Sequence, residues 1–226
     1  MIRNLLFNCC PMESGARIWR DNIAWLNRYQ DAFNGRKLVI VRTGDGIEPL
    51  AAVQAEFDFE VEFIELPNDP EIGESAGFIP VLGRLESVRE DEVIFYAHSK
   101  GVSHPSRKQD PSILACVERW RDHLYHYNLR DIPRVEEVLS VYDACGCFLA
   151  DVGGEPRRWM FIGAFWWAKS ARIFSHPKWR EIGGWQGTEF YLSGLIPVTK
   201  AYELYPRPLV AMGHRWYEEM LPETER

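Results

Sequence analysis

The segment Phe95-Tyr96-Ala97-His98-Ser99-Lys100-Gly101-Val102 carries an apolar run into a histidine, a lysine and a glycine. Histidine can donate, accept or ligate a metal. Lysine is a compact positive charge suited to a phosphate oxygen. Gly101 lets the backbone approach a ligand. The alternative is a solvated turn stopped by glycine. The order is not that of a phosphate-binding P-loop, which needs its glycines before the lysine and a helix directly after it.

Two further segments hold candidate groups. In Phe161-Ile162-Gly163-Ala164-Phe165-Trp166-Trp167-Ala168, adjacent tryptophans on a strand point to opposite faces. One belongs to the core, and the other could line a cleft and stack on a sugar ring; the alternative is that both are buried. In Gly187-Thr188-Glu189-Phe190, a carboxylate at a helix start could act as a general base, or serve as an ordinary first-turn acid favoured by the helix dipole. His123 and His126 share a helix face at a spacing that suits two metal ligands, but no third is placed, which favours surface or cleft-edge roles. His214 lies in a polar tail segment. Arg107-Lys108 and Arg157-Arg158 are local basic pairs of the kind that is usually solvated. No nucleophile-elbow or dinucleotide fingerprint occurs.

These groups need a scaffold, and the chain alternates strand-like with helix-like segments. Residues 3–10 read as a strand closed by Pro11. Ser14 then caps a helix with Trp19, Ile23, Leu26 and Phe33 on one face, ended by Asn34-Gly35. Residues 37–41 read as a strand buried on both faces, and a turn follows at 43–46. A short helix near 48–56, a strand at 61–66, a loop at 67–75, a helix over 76–90 and a strand at 93–97 come next. A polar loop at 98–112 opens into the clearest helix, with Ile113, Val117, Trp120, Leu124 and Tyr127 in register. A helix carrying Val135, Val138, Leu139 and Tyr142 follows. Residues 145–150 and 161–168 each read as one strand, with a helix near 188–195 and an irregular tail from about 205. The alternation predicts a single α/β domain with a mainly parallel central sheet and helices on both faces. In such sheets the ligand sits at the carboxyl ends of the strands, where the loops after Cys10, Val41 and Ala97 lie.

Composition bounds the rest. The chain has 226 residues, 46% hydrophobic and 26% charged, which excludes wholesale disorder. No apolar run is long enough for a membrane span, and the first fifteen residues do not read as a signal peptide. A net charge of -7 argues against nucleic acid as a partner. Five cysteines at irregular spacing argue for reduced thiols and a cytoplasmic location. Aromatic residues reach 13%, which suits either a sugar-stacking cleft or a core.

Taken in order, FYAHSKGVS, Trp120-Arg121, Val141-Tyr142-Asp143, Gly146, FIGAFWWAKS and Gly187-Thr188-Glu189 resemble a family of bacterial glycosyltransferase-like proteins with a GT-A-type nucleotide-sugar fold. The resemblance covers roughly residues 92–192. It implies transfer of a sugar from a nucleotide-sugar donor to a saccharide or other hydroxyl acceptor, in polysaccharide biosynthesis. Where that family usually places an acidic motif holding a divalent cation, manganese or magnesium, on the diphosphate, this chain has His98-Ser99-Lys100. Lys100 could neutralise the diphosphate directly, and His98 could ligate a metal or donate to a phosphate. The resemblance puts Gly163 in the loop approaching the donor sugar, Glu189 at the catalytic base and His214 at the metal or diphosphate. Asp45 is expected to meet the nucleoside. Two other readings stand beside it. One is a non-catalytic nucleotide- or carbohydrate-binding protein on the same fold. The other is a metal-dependent hydrolase using His98, His104 and another histidine.

Overall fold

The computed structural model describes residues 1–103, 111–154, 158–184 and 186–205. Strand β1 (Ile2–Cys9) leads through a 3-10 turn into helix α1 (Ala16–Arg28), and β2 (Lys37–Thr43) follows. Helix α2 (Leu50–Gln54), strand β3 (Glu62–Pro67), helix α3 (Phe78–Leu82) and strand β4 (Glu92–His98) come next. The long helix α4 (Pro111–Leu129) and helix α5 (Ile132–Val141) precede the short strand β5 (Ala144–Gly146). Strands β6 (Leu149–Gly153), β7 (Arg158–Phe161) and β8 (Trp166–Lys169), helices α6 (Ser170–Phe174) and α7 (Gly187–Phe190), and strand β9 (Ala201–Glu203) complete it.

Seven strands form one sheet in the order β3-β2-β1-β4-β8-β5-β9, and β6 pairs with β7 in a separate ribbon. β1 lies parallel between β2 and β4, with Phe7 opposite Val39 on one side and Ala97 on the other. β3 joins β2 in parallel, and β9 joins β5 in parallel. Only β8 runs against its neighbours, β4 and β5. The mixed α/β class and the mainly parallel sheet flanked by helices are therefore as the sequence predicts.

The middles of the central strands are apolar because both faces are covered. Leu5, Phe7, Val39, Val41, Val93, Phe95 and Trp167 face α1, α2, α4 and α5 through Trp19, Ile23, Val53, Leu124 and Val135. Leu6, Leu38, Ile40, Ile94, Tyr96, Trp166 and Ala168 face α3 and α6 through Phe78, Leu82, Ile173 and Phe174. The alternation of adjacent residues between faces sends Trp166 and Trp167 into opposite layers of core. Both indoles are buried, at 1% and 0% exposure, so neither can stack on a sugar in the cleft. Trp167 lies against Phe33 and Phe95, and Trp166 against Tyr96 and Tyr191.

Several boundaries differ from the sequence expectation. α1 begins at Ala16 with Gly15 at its cap, and Ser14 makes no capping hydrogen bond. The helix expected over 76–90 is one turn, α3, followed by a 3-10 turn to Leu85. The backbone turns extended at Glu86, and Val88 stands exposed. The strand expected over 145–150 breaks at Phe148, whose φ of 61° redirects the chain from β5 into β6. The strand expected over 161–168 breaks at Gly163 and Ala164, with φ of 95° and 55°. β9, a strand the sequence pattern does not reveal, closes the sheet edge just before the expected irregular tail. The tail beyond Tyr205 lies outside the described residues. All five cysteines are free thiols. Among the described residues no helix is long and apolar enough to cross a membrane.

β5 carries one position where only glycine fits. A Cβ on Gly146 would lie 2.7 Å from Phe165 O and 2.9 Å from Phe161 Cγ. Gly146→Ala should therefore destabilise the fold by about 1–3 kcal/mol through overpacking, read as a lower urea midpoint. An unchanged midpoint would show that the β5–β8 layer has slack.

Candidate functional site

β1 sits where the sheet's connections diverge, with β2 on one side and β4 on the other. A doubly wound sheet opens its binding crevice outside the carboxyl ends of the strands at such a point. A cleft of about 450 Å³ lies there. Its lining includes Asn8 and Cys10 after β1, Arg42 from β2, Glu74 from the β3–α3 loop, His98 to Ser103 after β4, and Glu189 from α7.

The floor is organised around one carboxylate. Glu74 Oε2 lies 3.0 Å from His98 Nδ1 and accepts from Tyr96 OH at 3.2 Å. Glu74 Oε1 accepts from Thr188 Oγ1 at 2.6 Å. Burial pushes this carboxyl up, but the charge and hydrogen bond of His98, the Thr188 hydroxyl and the charge of Lys100 outweigh it and hold it at about 2. His98 Nε2 lies 2.9 Å from Gly163 O. Both ring nitrogens thus face oxygen atoms of the protein.

The loop bearing Glu74 is held from below. Arg42 is 2% exposed, and burial pushes its guanidinium below the ordinary arginine range, opposed by neighbouring Tyr96, Cys10 and Glu74. It donates from Nε to Asn8 Oδ1 at 3.1 Å, and from Nη2 to Glu74 O at 3.2 Å and Ala76 O at 2.6 Å. Asn8 Nδ2 donates to Glu74 O at 3.0 Å. Two polar side chains at the ends of otherwise apolar strands thus fix the backbone of a loop that has no regular structure beyond one 3-10 turn.

The turn after β4 is fixed as closely. Ser99 N donates to Asn8 O at 2.9 Å, and Ser99 Oγ accepts from Cys10 N at 2.9 Å. Gly101 has φ of 88°, and a Cβ there would lie 3.0 Å from Val117 Cγ1. Lys100 Nζ sits 3.8 Å from the centre of the Trp120 ring, a cation–π contact. Burial lowers the Lys100 pKa, while the charges of Glu189 and Glu74 oppose that shift.

The structure brings His98, Lys100, Gly101 and Glu189 together on one cleft, as the sequence predicts. Gly163 does not line it. Its carbonyl supports His98, and its Cα packs against α4, where a Cβ would lie 2.8 Å from Leu124 Cδ1. Asp45 stands exposed in the turn after β2 and is not among the residues lining this cleft. His123 and His126 lie on α4 away from the cleft lining, and His126 meets Tyr29 and Arg130. His104, Arg107, Lys108, Arg157 and His214 lie outside the described residues.

Both His98 nitrogens and both Glu74 oxygens are engaged with protein partners. Among the described residues no group of three His, Cys, Asp or Glu side chains could hold a metal ion. His104 of the hydrolase reading and His214 of the metal expectation lie outside the described residues.

Glu74, Thr188, Arg42 and Asn8 were not singled out by sequence. Asn8 and Arg42 carried the readable signal, as polar residues interrupting strands otherwise buried on both faces. Glu74 carried none, being one acid among several in PNDPEIGES. No protein-family model and no curated protein matches the chain.

The low Glu74 pKa makes a signed prediction. A carboxyl held below its unfolded value stabilises the fold above the unfolded pKa and loses that contribution as pH falls through the folded one. Glu74→Gln should cost on the order of 3 kcal/mol at neutral pH. In urea titrations the gap to the unsubstituted protein should narrow steadily from pH 5 towards pH 2. A gap independent of pH would mean that Glu74 carries no charge in the fold.

Proposed function

We propose that the chain is a glycosyltransferase that takes a nucleotide-sugar donor and transfers the sugar to a saccharide or other hydroxyl acceptor, on a GT-A-type fold. The observation that carries this reading is one cleft at the carboxyl edge of a mainly parallel sheet holding a desolvated lysine, a histidine and a separate carboxylate. The resemblance of FYAHSKGVS and FIGAFWWAKS to that family supports it. It also implies a bacterial, cytoplasmic enzyme of surface-polysaccharide assembly.

In transfer, the bond between the anomeric carbon and the β-phosphate oxygen breaks, and that oxygen gains negative charge. A new bond forms from the anomeric carbon to the acceptor oxygen, whose proton must leave. In this reading Lys100 meets the leaving diphosphate, and a fixed cation in a partly desolvated site acts without reorganising. His98, held by Glu74 and Gly163 O, lines the floor beside it. Glu189 is the candidate base for the acceptor proton and would need to approach that hydroxyl to about 3 Å. The resemblance implies a metal position at His98-Ser99-Lys100, and no step here is routed through a metal.

The second reading is a nucleotide- or carbohydrate-binding protein without turnover. It is favoured by the replacement of the family's acidic motif with His98-Ser99-Lys100.

Two substitutions separate these readings when nucleoside diphosphate release is followed from a panel of nucleotide sugars with saccharide acceptors. Lys100→Ala should weaken diphosphate binding by about 10- to 150-fold, the value of one charge-assisted hydrogen bond. Glu189→Gln should leave binding intact and lower turnover about a hundredfold or more. Full activity in Glu189→Gln removes the base assignment, and binding without turnover in the unsubstituted protein selects the second reading.

A further inference from the structure

Asn22 lies in the middle of α1, fully buried, on a face that otherwise carries Trp19, Ile23 and Leu26. A buried asparagine is a poor choice there on packing and helix propensity alone. Its amide is spent on a backbone 78 residues away. Oδ1 accepts from Lys100 N at 3.2 Å, sharing a hydrogen that also reaches His98 O at 2.7 Å, and Nδ2 donates to Lys100 O at 3.2 Å. The second Nδ2 hydrogen goes to Ile18 O at 2.7 Å, and Tyr125 OH donates to Oδ1 at 3.0 Å. Every donor and acceptor of the amide is therefore used. Tyr125, fully buried on α4, fixes which way round the amide sits.

We propose that Asn22 is a positioning residue for Lys100, with Tyr125 setting its orientation. The amide grips both polar groups of the Lys100 backbone, much as a neighbouring strand would. The side chain then leaves the turn in the one direction that lays its ammonium over Trp120 and into the cleft. α1 and α4 thereby place a cation on a turn that has no regular structure of its own. The geometric part stands on these contacts, and its consequence for ligand binding rests on the glycosyltransferase reading.

The test uses the full chain with lysine labelled with carbon-13 at Cε, and Lys100→Ala identifies the Lys100 signal. Stacking on Trp120 displaces the Lys100 Hε resonance upfield of the other lysines. Asn22→Leu should return it to their position while the other lysine signals stay in place. Tyr125→Phe, which removes one hydroxyl and is the milder change should Asn22→Leu fail to fold, should reduce the displacement in part. An unchanged displacement in the folded variants overturns the proposal.

A second readout compares UDP with uridine. Asn22→Leu should lower the ratio of their affinities about tenfold, and have no further effect on that ratio in a Lys100→Ala background. Equal losses for both ligands, or additive losses in the double variant, would show a merely structural role and overturn the proposal. If the unsubstituted protein binds neither UDP nor uridine, the glycosyltransferase reading fails, and the Hε resonance still decides whether Asn22 positions Lys100.

Discussion

A carboxylate withdrawn from water has to be matched by donors and positive charge, or it protonates and its loop lets go. Glu74 is that group in this fold. Its loop leaves the edge strand β3 and has little regular structure, so backbone ladders cannot hold it over the cleft. The carboxylate does so by joining three elements: β4 through Tyr96 and His98, α7 through Thr188, and the Gly163 turn through the far side of the His98 ring. Without Glu74, His98 would lose its carboxylate partner, and α7 would lose the contact that fixes the residue next to Glu189.

The network below the cleft explains why so few polar residues serve to build it. Asn8 and Arg42 each sit one step before the end of a central strand and reach the same backbone carbonyl, Glu74 O. Ser99 bonds across to β1 in both directions. The strand ends, the loop and the turn are thus braced to one another before any ligand arrives. Charges fixed in this way stabilise charge that develops during a reaction without first having to move. Lys100 and Glu189, which line the cleft but are not consumed by that bracing, remain available for chemistry.

Much of this was readable in the chain, for physical reasons that also mark where reading stops. Continuous apolar runs such as KLVIV reveal strands covered on both faces, and the register of Val117, Trp120 and Leu124 reveals α4. The His98 to Gly101 turn was visible because polar chemistry follows a buried strand directly. The tryptophans misled because residue type signals stacking capacity, whereas position in a central strand decides burial. The breaks at Phe148 and Ala164 lie in left-handed backbone that non-glycine residues seldom adopt and that hydropathy does not register. Glu74 acquires its role only when β4, α7 and its own loop meet, contacts that span up to 114 residues.

The central claim is that a nucleotide-bearing donor enters this cleft and meets Lys100 rather than a bound metal ion. The most direct measurement is the melting temperature of the unsubstituted protein with UDP, GDP, CMP and ADP, each with and without manganese. A ligand at about 100 times its dissociation constant adds roughly 2.7 kcal/mol of stability, a readily visible shift. The account predicts a rise selective for one nucleotide and equal in the presence and absence of manganese. No rise with any of the four, or a rise that requires manganese, would contradict it.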